Sequence, residues 1–493
     1  MGTGDEMWHE ERLYIDGELV EAEGGKVYDN LNPATEEVLG VAADASEADL
    51  QRAIAAARRA FDETDWSTNL GLRTRCLRQL EEAMEKFHTE LGELTIAEVG
   101  APRMLLDGPQ LATPRGYLSF YADLAESYAW TDHLGEADGP AGRVHRWVER
   151  EPAGVVACIT PWNYPNQINL AKIAPALAAG CTVVLKPAPD TPWTGLALGR
   201  LIAEHTDIPA GVVNVVTSSD KAIGEILTTS PDIDMVSFTG STAVGRRIME
   251  AGAATIKRVF LELGGKSATI VLDDVEDMAA ATGMTCFQVC THGGQGCATT
   301  TRLLLPRDRY EEGVEAAAAL LGVLPYGDPQ DPGNMTGPIV NAAQLAKIDG
   351  MVQQAVADGA RVVVGGGIAT QFDKGYWFQP TLLADVTNDM AIARDEIFGP
   401  VLVAIPYDDE DDAVRIANDS IFGLSGAVVS ADRDRAVRVA RRIRTGTMSV
   451  NGGVWYAPDV PFGGYKQSGV GREMGVAGFE EYLEQKAWAE PAG

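Results

Sequence analysis

From residue 154 onward, short apolar runs alternate with longer stretches in which apolar and polar residues mix at helical spacing. The apolar runs are rich in β-branched residues and have the length of buried strands. The first series comprises residues 155–159, 182–185, 212–216 and 235–238. Short strands that alternate with helices are typical of a parallel, doubly wound sheet, so the pattern predicts an α/β domain.

A second series of apolar runs follows with the same alternation. Its predicted strands are residues 268–272, 302–305, 361–364, 401–405 and 427–429, and residues 411–417 are among its predicted helices. This series predicts a second α/β domain. No linker rich in Pro, Gly or Ser separates the two series, so we place the boundary near Gly264-Gly265 from the motifs found there.

The chain before residue 154 follows a different pattern. Residues 13–20 predict a hairpin that turns at Asp16-Gly17. Ser46, with Asp49 three positions later, forms a capping-box signature at the start of an Ala-rich helix that runs toward Phe61. The chain of 493 residues is too long for one compact core, which also favours two or more domains.

The charge balance excludes several classes of partner. The formal net charge of −31 arises from 71 acidic against 40 basic residues, and the acidic residues are spread along the chain. The sequence lacks the clustered Lys and Arg that bind a nucleic-acid backbone, and its charge disfavours anionic membranes. Residues 1–11 lack a secretory-signal pattern, and no apolar run reaches the roughly 18 residues of a membrane-spanning helix. We therefore expect a cytoplasmic protein.

The cysteines provide the first candidate for chemistry. Six of them in a chain of this length are too few for a disulfide scaffold, which leaves room for a reactive thiol. Cys297 follows the run Gly-Gln-Gly, whose flexible backbone would give a thiol access and N–H donors for an oxyanion, although a single cysteine is more often core packing. Cys286, Cys290, His292 and Cys297 could together bind a metal, but their spacing does not match structural zinc sites, so we expect none.

Two further segments carry candidate chemistry. Residues 238–245, Phe-Thr-Gly-Ser-Thr-Ala-Val-Gly, form a Gly-rich turn between a predicted strand and helix, which aims backbone N–H groups at a phosphate. An ordinary strand-to-helix turn is the alternative. Glu262 lies in Leu-Glu-Leu-Gly-Gly-Lys-Ser, where an apolar setting would raise the pKa of the carboxyl and suit it to general-base catalysis. A glutamate that faces water at the end of an element is the alternative there.

Seven motifs together resemble the aldehyde dehydrogenase superfamily and follow the family's order. They are Pro-Trp-Asn-Tyr-Pro at 161–165, Leu-Lys-Pro-Ala at 185–188, the turn at 238–245, the segment at 261–267, Gln-Gly-Cys at 295–297, Glu-Ile-Phe-Gly-Pro at 396–400 and Pro-Phe-Gly-Gly-Tyr-Lys at 461–466. The resemblance extends from about residue 13 to the C-terminus. It implies a hydrolytic, NAD(P)-dependent enzyme that oxidises an aldehyde to a carboxylic acid.

The resemblance implies roles for five catalytic residues. Cys297 would attack the aldehyde carbonyl, and the Asn163 side-chain amide and the Cys297 backbone N–H would hold the oxyanion. Hydride transfer to the nicotinamide would leave a thioester, which water activated by Glu262 would hydrolyse. Lys172 and Glu473 correspond to a lysine and a glutamate in the family's proton path from the general base to solvent.

For the cofactor, the resemblance implies that Lys186 and Glu396 hold ribose hydroxyls and that Phe398 packs on the nicotinamide. The other implied cofactor-binding residues are Ile159, Trp162, Ala188, Gly224, Phe238, Gly240, Ser241, Val244, Gly245 and Leu263. Pro189, followed by Asp190, stands where NAD-preferring members often carry a glutamate for the adenosine ribose. NAD is the expected cofactor, while NADP stays open because that glutamate's repulsion of a 2′-phosphate is missing.

The implied substrate pocket has aromatic walls. Trp455 and Tyr456 fall in the loop that lines the aldehyde opening, which would favour an apolar or aromatic aldehyde. The other predicted neighbours are Asn166, Asn169 and Phe462. His292 and Gly296 depart from the residues that the family usually carries beside the nucleophile, and they would widen or polarise the tunnel.

The fold implied by the resemblance has three parts. They are a Rossmann-like cofactor-binding domain of residues 1–133 and 153–264, a catalytic α/β domain of residues 265–461, and a small β oligomerisation arm of residues 134–152 and 462–493. Residues 142–150 would supply an exposed strand of the arm. In the family that arm pairs subunits, so a homodimer or homotetramer is expected.

Two other functions are left open by the motifs. One is a coenzyme A-acylating aldehyde dehydrogenase, which would release the thioester to a thiol and would have less need of Glu262. The other is a catalytically silent family member that serves as a binding protein. The presence of Cys297, Glu262 and Asn163 together counts against the silent member.

Overall fold

The computed structural model describes residues 10–140 and 142–492. In these residues the chain forms an eight-stranded sheet, a seven-stranded sheet, a three-stranded sheet and a two-stranded hairpin. Most of the acidic N-terminal segment examined for a secretory signal lies outside the described residues.

The bounds of the regular elements are as follows. The strands are β1 (Leu13–Ile15), β2 (Glu18–Val20), β3 (Val27–Leu31), β4 (Val38–Ala43), β5 (Thr131–Gly139), β6 (Gly142–Pro152), β7 (Val155–Ile159), β8 (Thr182–Lys186), β9 (Val213–Val215), β10 (Met235–Thr239), β11 (Arg258–Glu262), β12 (Ser267–Val271), β13 (Thr300–Pro306), β14 (Arg361–Val364), β15 (Thr381–Ala384), β16 (Val401–Tyr407), β17 (Gly426–Val429), β18 (Ser449–Val450), β19 (Gly469–Val470) and β20 (Leu483–Pro491). The helices are α1 (Glu47–Glu63), α2 (Leu70–Lys86), α3 (His88–Val99), α4 (Ala112–Ser127), α5 (Pro165–Ala179), α6 (Pro192–His205), α7 (Gly224–Thr229), α8 (Thr242–Gly252), α9 (Met278–Cys290), α10 (Tyr310–Leu321), α11 (Ala342–Ala357), α12 (Ala391–Arg394), α13 (Glu410–Asn418), α14 (Arg433–Ala440) and α15 (Gly475–Glu480).

The eight-stranded sheet has the order β19-β11-β10-β7-β8-β9-β1-β2. Its five central strands are parallel, and each of the four strands predicted in the first series is among them. Strands buried on both faces read as continuous apolar runs, which is why β7 and β8 were recognisable from the sequence. The predicted doubly wound α/β fold is confirmed for this half.

The seven-stranded sheet has the order β14-β15-β16-β13-β12-β17-β18. All neighbouring strands are parallel except β14, which runs antiparallel to β15 at one edge. Alternate residues face separate cores: Ile270 packs on one side of the sheet and Val271 on the other. The second predicted α/β unit is therefore confirmed, with β15 and β18 as strands that the sequence pattern had not indicated.

The N-terminal elements agree with their local signals. β1 and β2 form the predicted hairpin, and Asp16 takes the positive φ that its turn requires. Ser46 Oγ accepts from the Asp49 N–H at 3.2 Å, and the Asp49 carboxylate accepts from the Ser46 N–H at 2.9 Å, which completes the predicted capping box of α1. The hairpin of β3 and β4 was not predicted.

The three-stranded sheet places β6 between β5 and β20. Trp147 and Trp488 lie opposite each other on β6 and β20 and stack with ring centroids 5.7 Å apart. Within the predicted arm segment 462–493, the part that enters this sheet is β20, because β19 pairs with β11 in the first large sheet. The arm's other outer strand, β5, begins before residue 134.

A short connection between β11 and β12 joins the two large sheets. The chain leaves β11 at Glu262 and enters β12 at Ser267, so four residues connect the carboxyl end of one sheet to the start of the other. In open α/β sheets, ligands bind beyond the carboxyl ends of the strands. Glu262 and the Gly-Gly pair after it lie at such a position.

Candidate active site

A cavity of about 460 Å³ lies between the two large sheets. Asn163, Glu262, Cys297 and Glu473 are among its lining residues. The fifth predicted catalytic residue, Lys172, is buried behind the wall and contacts Glu473. The structure therefore brings together five residues that are spread over more than 300 positions of the sequence.

The loop that carries Cys297 is held by a buried glutamine. The amide nitrogen of Gln295 donates to the carbonyls of His292, at 3.0 Å, and Pro338, at 3.1 Å. Its amide oxygen accepts from the Val340 N–H at 2.9 Å. Because every polar group of this side chain is bonded inside the protein, Gln295 fixes the loop two residues before the thiol.

The Cys297 thiol opens into the cavity, whereas the other five cysteines are buried. Burial of the sulfur, together with the negative charges of Glu262 and Glu396, raises the pKa of Cys297 well above the usual thiol value. An attacking Cys297 must therefore lose its proton as it reacts. Cys286 and Cys290 lie on the buried side of α9 and act as core packing.

Glu262 ends β11 with its carboxyl group in the same cavity. Neither carboxyl oxygen has a hydrogen-bond partner among the described residues. Burial is the main cause that raises the pKa of this carboxyl well above 4.5, and the charge of Glu473 adds to it. A carboxyl group with a raised pKa is suited to accept a proton near neutral pH.

Asn163 lies directly before α5 and presents its amide to the cavity. The side-chain nitrogen donates to the carbonyl of Gln295 at 2.8 Å, while the side-chain oxygen has no partner in the described part of the chain. One amide N–H is thus bonded to the Cys297 loop and the second is left for a ligand. The arrangement provides a donor for an oxyanion beside the thiol.

Lys172 and Glu473 form a buried ion pair. The ammonium nitrogen lies 3.0 Å from the carboxylate, and the side chains are 0% and 5% exposed. The ammonium also lies 4.8 Å from the ring centroid of Phe260, a cation–π contact. Since Glu473 lines the cavity and Lys172 lies behind it, the pair extends from the cavity into the wall.

The Gly-Gly pair after Glu262 allows two close approaches. A Cβ at Gly264 would lie 2.6 Å from the Glu396 carboxylate, and one at Gly265 would lie 2.6 Å from the Cys297 carbonyl oxygen. The Gly265 N–H also donates to Glu396 at 2.9 Å. Only residues without a side chain let this connection pass between the thiol loop and the Glu396 segment.

A second groove, of about 440 Å³, lies against the Gly-rich turn and α8. Five predicted cofactor residues line it: Ile159, Lys186, Gly224, Phe238 and Val244. Burial lowers the pKa of Lys186 to about 8. Its amine donates to the Pro187 carbonyl at a long 3.5 Å, so N–H groups are left for ribose hydroxyls. The groove therefore offers N–H donors to a hydroxyl-bearing ligand.

The turn itself has the geometry of an anion site. Ser241 caps α8 by accepting from the Val244 N–H at 3.4 Å, which leaves the helix N-terminus directed at the groove. The Gly240 N–H is bonded to the backbone of Glu262 at 3.0 Å. A Cβ at Gly245 would lie 2.7 Å from Leu263, so these two predicted residues hold α8 against the segment that carries Glu262.

The segment 396–398 lies against Gly265 and Trp162. Phe398 has a φ of 60° and packs edge-to-face on Trp162 with centroids 5.3 Å apart. Gln344, on α11, donates to the carbonyls of Ile397 and Phe398, each at 2.9 Å. Lys347 donates to the carbonyl of Glu396 at 3.0 Å. Two side chains of α11 therefore fix the strained backbone at Phe398.

The segment after Lys186 is turned away from the groove. Ala188 is buried. Asp190 accepts from the side-chain amide of Asn341 at 2.7 Å, and Asn341 is the N-cap of α11. With Pro189 beside it, no carboxylate from this segment is among the groove-lining residues.

The aromatic wall of the substrate pocket is present as predicted. Trp455 and Phe462 stack with centroids 5.4 Å apart, and Tyr456 bonds through its hydroxyl to that of Tyr117. All three predicted aromatics line the cavity, as does Gly296.

Three predicted pocket neighbours lie behind the wall instead. Asn166 donates to Thr95 and Asn169 accepts from Thr160, so their amides bond inside the protein. His292 points to the backbone of Asn163. The α5 residues that do face the cavity are Gln167 and Ile168. Because α5 is buried almost all round, its sequence has no polar side from which the cavity face could be deduced.

The sequence also left one wall of the pocket unpredicted. Residues of α9 and of the segment before α4 extend the cavity outward: Leu105, Pro109, Ala281, Met284, Thr285, Phe287 and Gln288. Met284 and Phe287 are each about 40% exposed, which is unusual for such residues and marks an apolar rim. Their helical spacing was a signal, but the sequence alone did not say that this face borders a cavity.

No group of three or more His, Cys, Asp or Glu side chains is placed to hold a metal ion in residues 10–140 and 142–492. Within the same residues no helix combines the length and the apolarity needed to cross a membrane.

Comparison with known proteins adds independent findings. The model of the aldehyde dehydrogenase family matches residues 19–488. A 3-succinoylsemialdehyde-pyridine dehydrogenase from a Pseudomonas species is 42% identical over 480 residues, which cover 96% of this chain and 97% of that protein. The geranial dehydrogenase of Castellaniella defragrans is 40% identical, with 97% and 98% covered.

Solved structures agree with these sequence matches. A Mycobacterium tuberculosis aldehyde dehydrogenase complexed with NAD+ superimposes with a TM-score of 0.93 and 42% identity, covering 98% of both chains. A cysteine-to-alanine mutant of aldehyde dehydrogenase C from Pseudomonas syringae, complexed with NAD+ and octanal, gives a TM-score of 0.91 and 40% identity, with 97% and 96% covered.

Proposed function

This chain belongs to the aldehyde dehydrogenase family and oxidises aldehydes with NAD, and on that premise we propose that the product is the carboxylic acid and which residues carry each step. The observation that carries the proposal is the shared cavity of a thiol, an unbonded carboxyl and an amide with a free N–H, at Cys297, Glu262 and Asn163.

The first half of the reaction builds a bond to sulfur. The Cys297 sulfur attacks the aldehyde carbon while the thiol proton passes to Glu262. The carbonyl oxygen becomes an oxyanion, which the second N–H of the Asn163 amide and the Cys297 backbone N–H hold. NAD, when bound, supplies the acceptor for the hydride that leaves this carbon. The carbon then remains attached to Cys297 as a thioester.

The second half hydrolyses the thioester. After the proton taken from Cys297 has left Glu262, the ionised Glu262 removes a proton from water while the water oxygen bonds to the acyl carbon. The carbon–sulfur bond then breaks, and Glu262 returns its proton to the sulfur, which releases the acid and the Cys297 thiol. We propose that Glu473 and Lys172 carry the surplus proton away, because their ion pair extends from the cavity into the wall beside Glu262. We propose release to water rather than to coenzyme A, because Glu262 provides a buried base in the cavity.

We assign the cofactor to the second groove and to the segment 396–398 with Trp162. Lys186 and Glu396 would bind ribose hydroxyls, the turn at Gly240, Ser241 and Gly245 the pyrophosphate, and Phe398 with Trp162 the nicotinamide end. The remaining groove positions are Ile159, Gly224, Phe238, Val244 and Leu263. Ala188 is buried and contributes through packing. NAD complexes of similar chains support this assignment. We propose that NADP is also accepted, because no groove-lining acid from the segment after Lys186 would repel its 2′-phosphate.

We propose an apolar aldehyde as the substrate. Trp455, Tyr456 and Phe462 form one wall of the cavity, and the rim at Met284 and Phe287 continues the apolar surface outward. The geranial dehydrogenase and the octanal complex among similar proteins also act on or bind apolar aldehydes. A chain of several carbons would bury its length along these residues.

The assembly and its location complete the proposal. We propose a cofactor-binding part that includes residues 153–264, a catalytic part of residues 265–461, and an arm of β5, β6 and β20 that pairs subunits in a dimer or tetramer. The exposed edges and faces of this small sheet support an association through it. Six free cysteines fit a reducing compartment, which supports a cytoplasmic location.

The test is a cofactor-reduction assay with purified protein. NADH and NADPH formation are followed by absorbance with aliphatic and aromatic aldehydes, with and without coenzyme A, for wild type, Cys297→Ala and Cys286→Ala. We expect turnover without coenzyme A that disappears in Cys297→Ala and persists in Cys286→Ala, whose thiol lies in the core. Activity that survives in Cys297→Ala would refute the assigned nucleophile, and a requirement for coenzyme A would refute hydrolysis.

A further inference from the structure

The backbone carbonyl of Asn163 receives two buried side-chain donors. The Nε2 atom of His292 lies 2.8 Å from this oxygen, and the Nε2 atom of Gln110 donates to it at 3.0 Å. Both side chains are 0% exposed. A carbonyl oxygen has two lone pairs, so these two donors satisfy it completely. Neither side chain is needed for the reaction as derived above.

His292 is itself held rigidly between the two loops of the site. Its φ of 52° is a left-handed conformation, and its N–H donates to the Met335 carbonyl at 3.0 Å. Its own carbonyl accepts from the Gln295 side chain. The ring packs edge-to-face on Tyr164, with centroids 5.2 Å apart.

The hydrogen bond between His292 and the Asn163 carbonyl identifies which ring nitrogen of His292 carries the proton. A carbonyl oxygen can only accept, so Nε2 carries the proton and donates. Nδ1 has no partner in the described part of the chain, and burial lowers the pKa of His292 to about 4. The ring is therefore a neutral imidazole that acts as a fixed N–H donor, and it is not an acid or base at neutral pH.

His292 can affect the reacting atoms through Asn163. The side-chain amide of Asn163 is tied to the Cys297 loop through the Gln295 carbonyl, and its backbone is tied to the same loop through His292. We propose that His292, assisted by Gln110, is a positioning residue that sets the Asn163 amide relative to the Cys297 sulfur. This inference rests on the oxyanion role proposed for Asn163.

The test uses a matched pair of substitutions. Glutamine can place an amide N–H close to the position of the imidazole Nε2, whereas methionine has a similar size and no donor. Both unbranched residues meet the same backbone strain at φ 52°, so they differ in the donor alone. Each is made in the wild type and in Asn163→Ala, and kcat at saturating NAD, the NAD dissociation constant and the melting temperature are measured.

We expect His292→Met to lower kcat by about tenfold to a hundredfold, since a displacement of roughly 1 Å at a reacting centre has a cost of that order. The NAD dissociation constant should stay within about twofold, and His292→Gln should restore most of the rate. In the Asn163→Ala background, His292→Met should cause little further loss, because the group that it positions is gone.

Three results would overturn the inference. They are a His292→Met enzyme as fast as wild type, a His292→Gln enzyme as slow as His292→Met, and an equal loss with and without the Asn163 amide. If His292→Met does not fold, Gln110→Met reaches the same carbonyl from the other side and is tested in the same cycle. A fully active Asn163→Ala enzyme would instead refute the proposed oxyanion role, which separates the two failures.

Discussion

The Lys172 ammonium and the Glu473 carboxylate lie 3.0 Å apart, and each is almost completely removed from solvent. A buried charge without its partner is costly, by about 3–5 kcal/mol, whereas replacing both partners with apolar groups is often neutral. Removal of one member alone should therefore destabilise the cavity wall, whereas replacement of both members by apolar side chains should not.

Single removal of either charge should destabilise the protein. We expect Lys172→Met or Glu473→Leu to lower the free energy of unfolding by about 3–5 kcal/mol, measured from denaturant midpoints at fixed protein concentration. The double variant Lys172→Met with Glu473→Leu should recover most of that loss while its steady-state rate stays low. A double variant that is as unstable as the sum of both singles would contradict a coupled pair.

The pH dependence of turnover should report Glu262. Its carboxyl accepts protons only when ionised, and its pKa is raised above 4.5, so kcat should increase with pH through that raised pKa. Glu262→Gln should lower kcat by about 10²- to 10⁴-fold and abolish this limb of the profile. The check is kcat against pH at saturating NAD. An unchanged limb in Glu262→Gln would assign the titration to another group.

The stability of Glu262→Gln provides a control, because ionisation of Glu262 should raise kcat but lower the stability of the wild-type protein. A carboxyl whose pKa is raised on folding stabilises the native state below its unfolded pKa of about 4.5, and this contribution is lost as pH rises through the folded pKa. Glu262→Gln cannot ionise, so its melting temperature should increase relative to wild type as pH is raised above 5. A difference that shrinks with pH would contradict the assignment.

Gly265 should tolerate no side chain. A Cβ there would lie 2.6 Å from the Cys297 carbonyl oxygen, which is backbone and cannot rotate away. Gly265→Ala should therefore displace the thiol loop and lower kcat by about a hundredfold. Gly350→Ala is the matched control, because that glycine lies in α11 with no heavy atom within 4 Å of the added Cβ. It should keep full activity and gain about 0.5–1 kcal/mol of stability.

Trp455 should select for longer aldehydes. It stacks on Phe462 at the pocket wall, so Trp455→Ala removes apolar contact along the substrate chain. We expect kcat/KM to fall at least about tenfold for octanal and little for propanal. Val323→Ala is the control, since that valine is 75% exposed and is not among the residues that line the cavity. Equal losses with both aldehydes would mean that Trp455 acts on the nucleophile rather than on the chain.

The features that could be predicted from the sequence are those that depend on a few neighbouring residues. The bounds of β7 and the capping box of α1 depend on a few consecutive residues, and both were correct. The motifs also brought Cys297, Glu262 and Asn163 to one cavity, because the family resemblance carries their order along the whole chain. In each case the signal was contained in a short segment.

Side-chain direction inside a fully buried helix could not be predicted in this way. Asn166 and Asn169 bond inside the protein while Gln167 and Ile168 face the cavity, yet all four lie in one turn of α5. The choice depends on Thr95, which lies in α3, and on Thr160, which directly follows β7. The role of His292 likewise depends on a carbonyl 129 positions away.

The segment that carries Phe398 provides a test of the proposed nicotinamide end. Phe398 has a strained φ of 60°, and Gln344 donates to its carbonyl and to that of Ile397, each at 2.9 Å. Gln344→Met keeps the length of the side chain and removes both donors. The backbone should then relax away from Trp162, and the NAD dissociation constant should increase about tenfold, measured by titration of protein fluorescence.

The same helix offers the control for that variant. Gln354 also lies in α11, but its amide bonds the exposed Asp358, so Gln354→Met should leave NAD binding unchanged. The aldehyde KM should change little in both variants, because α11 supplies no residue to the substrate cavity. If Gln344→Met binds NAD as tightly as wild type, the strained segment does not hold the nicotinamide end. If NAD binding, aldehyde KM and melting temperature all change together, the glutamine stabilises the fold rather than the cofactor site.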